Sequence, residues 1–237
     1  MTTIAYRRNP ANLLKQLGWW VLFLVCVFYA LYALYMGGVE ILHQLGIVQD
    51  AKYRATPLIF ILHALAGFAA LITGPLQFNR AILNKRRDLH RLSGKIYVYA
   101  VWIASAAALV DAIFFDIPFL GKIAFGVLAV LWFGATTTAF LRIRKRNIRE
   151  HRERMIRSFS LSFFFVTGGF WMPGFTSTDL PYEIAYPLAV FLAWFLNLVF
   201  AEAWIRWTRG NFSVKELPRL EEKTNVISSA QSTDART

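Results

Sequence analysis

Two apolar runs decide the fold: GKIYVYAVWIASAAALVDAIF (residues 94–114) and FLGKIAFGVLAVLWFGATTTAFL (residues 119–141), joined only by Phe115-Asp116-Ile117-Pro118. Each meets the length of about 20 apolar residues that takes a helix across the hydrocarbon core of a bilayer. The connector is too short for anything but a tight helical hairpin, and Pro118, which lacks an N–H, is its breaker. Outward from this pair, four more runs of the same kind occupy residues 18–37, 57–78, 156–173 and 183–207. The expected fold is all-α: a polytopic membrane bundle of six transmembrane helices over residues 18–207, preceded by a short segment (1–17) and followed by a tail (208–237) that is disordered from about residue 225.

Composition agrees. Of 237 residues 57% are hydrophobic, 17% are charged, and mean hydropathy is +0.43; a soluble domain of this length carries more charge. The net charge of +12 would suggest nucleic acid in a soluble protein, but here it sits between the apolar runs, so no nucleic-acid partner is expected. The single cysteine, Cys26, excludes an intrachain disulfide and a cysteine-rich metal site.

Orientation follows from the Lys and Arg count of each connection. Three precede the first run, six lie between the second and third, eight between the fourth and fifth, and six follow the sixth, so 23 of 26 fall on alternate connections. Both termini are therefore expected in the cytoplasm, in a bacterial inner membrane, with anionic lipid headgroups as partners of the basic face and a homodimer or larger membrane complex open. Trp19, Trp20, Trp204 and Trp207 would form the inner aromatic belt, and Trp171, Tyr182 and Tyr186 the outer one. The alternative that the first run is a signal peptide is opposed by its length and by the lack of an A-x-A cleavage site.

Several polar residues stand where apolar ones belong. His63 lies six residues into the second helix, roughly 9 Å down at about 1.5 Å per residue, and Gly67, Ala70 and Gly74 follow on its face. Small residues at that spacing let helices approach closely, so His63 is expected to point into the bundle, as a proton-transfer or ligand residue or as a hydrogen-bonded structural imidazole. Asp111, at similar depth on the neighbouring antiparallel helix, is its candidate partner, which would fix the imidazole tautomer; otherwise it reaches the wet interface. His90 and His151 each begin a helix within matched basic runs, Asn84–Arg91 and Lys145–Arg152, which raises the idea of two related hairpins. With Arg91, Arg152 and Arg157 they would hold a lipid phosphate or other anion, or the two histidines would ligate haem iron across adjacent helices. His43 is expected in an outer loop; Asn197 and Glu202, five apart on the sixth helix, do not share a face. No H-E-x-x-H, Walker, G-x-S-x-G or nucleotide fingerprint occurs.

In order along the chain come His63-x-x-x-Gly67, Gly74-Pro75-Leu76-Gln77-Phe78, His90-Arg91-x-x-Gly94-x-x-Tyr97 and His151-Arg152-x-x-Met155-Ile156-Arg157. This series resembles the DUF2306 family of predicted bacterial membrane proteins, over about residues 57–202. The resemblance implies an integral membrane location and points to the same histidines, but brings no reaction. One departure is Gly169 ahead of Phe170-Trp171-Met172-Pro173, where the family pattern leads one to expect Arg. Three activities stay open: a redox protein with a His-ligated haem b or quinone site; a small transporter or proton-coupled permease using His63, Asp111, Asn197 and Thr136–Thr138; and a non-catalytic accessory or assembly subunit.

Overall fold

In a computed structural model, the backbone is described for residues 10–47 and 57–234 and the side chains for 13–47 and 57–209. The described elements are all helical: α1 (Pro10–Gln44), α2 (Pro57–Leu76), α3 (Arg80–Lys85), α4 (Arg87–Phe114), α5 (Phe119–Arg144), α6 (Ile148–Ser162), α7 (Phe164–Thr176) and α8 (Tyr182–Asp234). Five helices are long and apolar enough to cross a membrane: Leu13–Gln44, Pro57–Leu76, Arg87–Phe114, Phe119–Arg144 and Tyr182–Arg209. Their outer faces carry large apolar side chains such as Leu24, Phe28, Leu58, Phe119 and Val130, all exposed. A continuous surface of this kind suits lipid and would not persist in water.

The expected fifth crossing, 156–173, is not one helix. It straddles a break at Phe163, where α6 ends and α7 begins, so neither piece is by itself long enough to span. Side-chain competition for the backbone accounts for the break. Ser160, Ser162 and Thr167 all turn their hydroxyls onto carbonyls three or four residues back, a habit that weakens and bends helices. The Val166 and Thr167 amides both converge on the Phe163 carbonyl. From α8, the Asn197 amide donates to the Ser160 carbonyl at 3.1 Å and to the Thr167 hydroxyl at 3.0 Å, bridging the two sides of the break. Irregular backbone at membrane depth is tolerated where protein satisfies it in this way.

Helix ends follow local chemistry. Pro118 caps α5 and Phe115 closes α4, as the hairpin reading requires, and Lys122 Nζ donates to the exposed Ile113 carbonyl at 3.0 Å. The first helix overruns its expected end at Gly37, because Gly37 is a packing residue: a Cβ there would lie 3.3 Å from that of Ala64 in α2. Its stop is Gly46, with φ of +72°, where Ile47 N bonds Leu42 O and Gly46 N bonds His43 O, the αL ending that glycine favours. His43 is thus in the last turn of α1, not in a loop. Asn147 caps α6 reciprocally with Glu150.

Packing runs in chain order, α1 on α2, α2 on α4, α4 on α5 and α5 on α6, with α2 also touching α6. Cys26 is buried in this core. At the α2 crossing, a Cβ on Gly74 would meet the Phe159 ring at 2.6 Å and Tyr97 at 3.2 Å. The matched basic runs differ around their shared core: α3 precedes α4, whereas α5 passes to α6 through a turn alone. His90 and His151 are nonetheless each the fourth residue of their helix, with main-chain N–H bonds to Arg86 and Asn147. Residues 1–198 form one compact unit and 199–237 a second. The backbone of α8 is helical to Asp234, and no glycine or proline follows Pro218 to stop a helix.

Two measurements test this arrangement. If α6 and α7 cross together as one broken span, a reporter fused to the C-terminus shares the side of one fused to the N-terminus; opposite sides would mean five crossings. Asn197→Leu, which removes the bridge at constant bulk, should lower stability in detergent by about 1–2 kcal/mol, measured by denaturant titration against wild type.

A cavity carrying His63 and Asp111

A cavity of about 390 Å³ opens within the first unit, walled by α1, α2, α4, α5, the α6–α7 break and the start of α8. Its wall is almost entirely apolar: Met36 from α1, Gly67 and Ala70 from α2, Leu128 from α5, Phe165 and Met172 from α7. The sequence placed His63, Gly67 and Ala70 on one inward face, and all three border this space. Asp111, buried, borders it too. His63 and Asp111 thus border the same cavity.

His63 is oriented from behind. Its Nδ1 lies 2.9 Å from the Ala104 carbonyl of α4. A carbonyl only accepts, so Nδ1 bears a hydrogen, and in the neutral imidazole Nε2 is the nitrogen with the free lone pair. The imidazole is thereby preset to receive a hydrogen from a partner at Nε2. Tyr186, expected in the outer aromatic belt, lines the cavity instead.

The cavity floor is a self-satisfied hydroxyl cluster that sequence spacing did not reveal. Ser162 accepts the Trp132 indole N–H at 2.9 Å, meets the Tyr97 hydroxyl at 2.8 Å and donates to the Ser158 carbonyl. Tyr97 also meets Ser158 at 2.8 Å, and Ser158 meets Thr136 at 2.6 Å. This cluster ties α4, α5 and α6 together. Part of the motif series is therefore packing: Gly74, Tyr97 and buried Met155 fix the crossing of α2, α4 and α6, and Gln77 donates to Ser93 at 2.8 Å beside Gly94.

The transport path suggested by Thr136–Thr138 does not form. Consecutive helical residues point about 100° apart: Thr136 joins the hydroxyl cluster, Thr137 accepts the Trp102 indole N–H, and Thr138 bonds back to Gly134. Asn197 is engaged at the helix break rather than in the cavity.

The other histidines lie elsewhere. His90 and His151 each lie in the first turn of their own helix, α4 and α6. His151 Nδ1 donates to Ala139 O at 2.9 Å, and burial holds its imidazole below the ordinary histidine range. Burial, then the charge of Arg80, lowers Arg152 as well. Neither His90 nor His151 borders the cavity, so haem held between His63 and one of them does not fit this arrangement. Among the described residues no group of three His, Cys, Asp or Glu is placed to hold a metal ion.

Sequence reading missed Glu40. It is 1% exposed on α1, and the Gly37-Gly38 pair disguised it as a loop residue. The continued apolar character of Val39 and Ile41 was the available signal. Gly169, the departure from the family pattern, faces Tyr29: a Cβ there would stand 2.6 Å from the Tyr29 hydroxyl, so α1 fills the room a longer side chain would need.

No curated protein and no solved structure matches the chain. The family profile described as "Predicted membrane protein (DUF2306)" matches residues 60–205, which takes in His63, Asp111, His90, His151 and the α6–α7 break. By that match and by its set of membrane-length helices, this multi-pass membrane protein belongs to the DUF2306 family.

Proposed function

We propose that the protein binds a lipid-soluble ring molecule bearing hydroxyl or carbonyl oxygens, of the quinol and quinone class, in the His63–Asp111 cavity. The observation that carries this reading is a space of about 390 Å³, within the size range of small-molecule sites, whose largely apolar wall carries one imidazole and one carboxyl group beside Ser162 and the polar edges of Tyr32, Trp132 and Tyr186. His63, with Nδ1 fixed on Ala104, offers Nε2 to a ligand hydroxyl. The aromatic and aliphatic wall takes the ring and its apolar substituents. Of the redox readings, the quinone form suits this donor set better than a His-ligated haem, which would need a second histidine at the cavity. A quinone-bearing bilayer such as the bacterial cytoplasmic membrane is the setting this reading requires.

Titration of the purified protein in mild detergent with a short-chain quinol, kept reduced, tests it. Saturable binding near one per chain is expected. Ala129→Phe, which fills the cavity, should abolish it, and His63→Ala or Asp111→Asn should weaken it about tenfold, the worth of one hydrogen bond of about 1.4 kcal/mol. Unsaturable partitioning, equal in wild type and variants, would overturn the assignment.

A further inference from the structure

The first helix holds an acid that the cavity does not use. Glu40 is 1% exposed. Its Oε1 accepts a hydrogen bond from Gln44 Nε2 at 3.0 Å, while Oε2 is buried with no hydrogen-bond partner among the described residues. An ionised carboxylate buried in this way, with one neutral amide to hold it, is costly, and ionisable side chains inside membrane helices are functional candidates for that reason. Two neighbours give it direction. Gln44, four residues on, is exposed at the end of α1. Met36, four residues back on the same stripe, borders the cavity. Gly37 packs against Ala64, the residue after His63, so this stripe of α1 faces α2 at the level of the imidazole.

We propose that Glu40 is a proton-exchanging carboxyl, connected to the surface through Gln44 and set one helical turn from the His63–Asp111 cavity. In the protonated form Oε2, the oxygen that Gln44 does not engage, carries the hydrogen. On exchange the Oε2–H bond breaks, the proton passes to water at the Gln44 end, and the Gln44 amide holds the carboxylate until a proton returns. Among the described residues, the titratable groups on the elements packed against it are His43 and the tyrosines of α1 itself and His63 from α2, and α7, which also touches α1, carries none. The role given to the cavity rests on the ligand reading above; the exchange itself does not.

Infrared spectroscopy of the full chain in liposomes reads this directly. The wild type should show the carbonyl stretch of a protonated carboxylic acid, shifting to lower frequency on transfer to D2O. Glu40→Gln, which keeps the shape and the acceptor for Gln44, should remove that band, and Asp111→Asn should leave it. Gln44→Leu should keep the band but slow its shift at least several-fold. Absence of the band, its survival in Glu40→Gln, or a band that never shifts in D2O would overturn the proposal. Quinol binding is measured separately, so a cavity that binds no quinol would leave this result intact.

Discussion

At the crossing of α2 with α4 and α6, Gly74 presents bare backbone to the ring of Phe159 and the edge of Tyr97. The rest of the centre depends on that contact. With the Tyr97 ring seated there, its hydroxyl lands between Ser158 and Ser162, and Ser162 in turn receives Trp132 from α5. Four helices, α2, α4, α5 and α6, are thus tied at one level by a glycine and a linked set of hydroxyls. In hydrocarbon, where helix association gains little from apolar burial, close packing and shared hydrogen bonds are the available cohesion. A side chain at position 74 would act on all of these at once.

The cavity begins where this packing stops. One residue beyond Ser162 the α6–α7 helix breaks at Phe163, and Asn197 holds the two sides. Had the helix continued straight, it would present a regular wall to α5. The break lets Leu161, Phe164, Phe165 and Met172 line a space instead. The same bundle therefore has a tightly closed level, built on Gly74 and the hydroxyls, and an open level carrying His63 and Asp111. Acidic Glu40 and Asp111 lie toward the ends of α1 and α4, while His90 and His151 with their arginines lie at the starts of α4 and α6, so the two polar sets occupy opposite ends of the helices.

Much of this was legible in the sequence. The 94–141 hairpin with its Pro118 break, the inward face of His63, Gly67 and Ala70, and the similar depth of His63 and Asp111, which border one cavity, all follow from helical period and antiparallel neighbours. The break at Phe163 was not legible, because the run 156–173 keeps its apolar character and has no proline or glycine at that point. It arises from serine and threonine back-bonding together with a distant asparagine, and hydropathy sees neither. Glu40 was hidden for the opposite reason: Gly37 and Gly38 read as a helix end, although Gly37 is there for Ala64 and the stop is Gly46. Thr136–Thr138 looked like one site because they are adjacent in sequence, and on a helix adjacency sends side chains to different neighbours.

If the space beside the α6–α7 break is where this protein meets its ligand, photo-crosslinking with an azido-substituted quinone, followed by mapping of the modified peptides, will find it. Adducts are expected on the cavity wall, in α2 around His63 to Ala70 and in α7 around Phe165 to Met172, competed away by unlabelled quinone. Adducts spread over the lipid-facing side chains, on Leu24, Phe28 and Phe119, and unaffected by competition would contradict it.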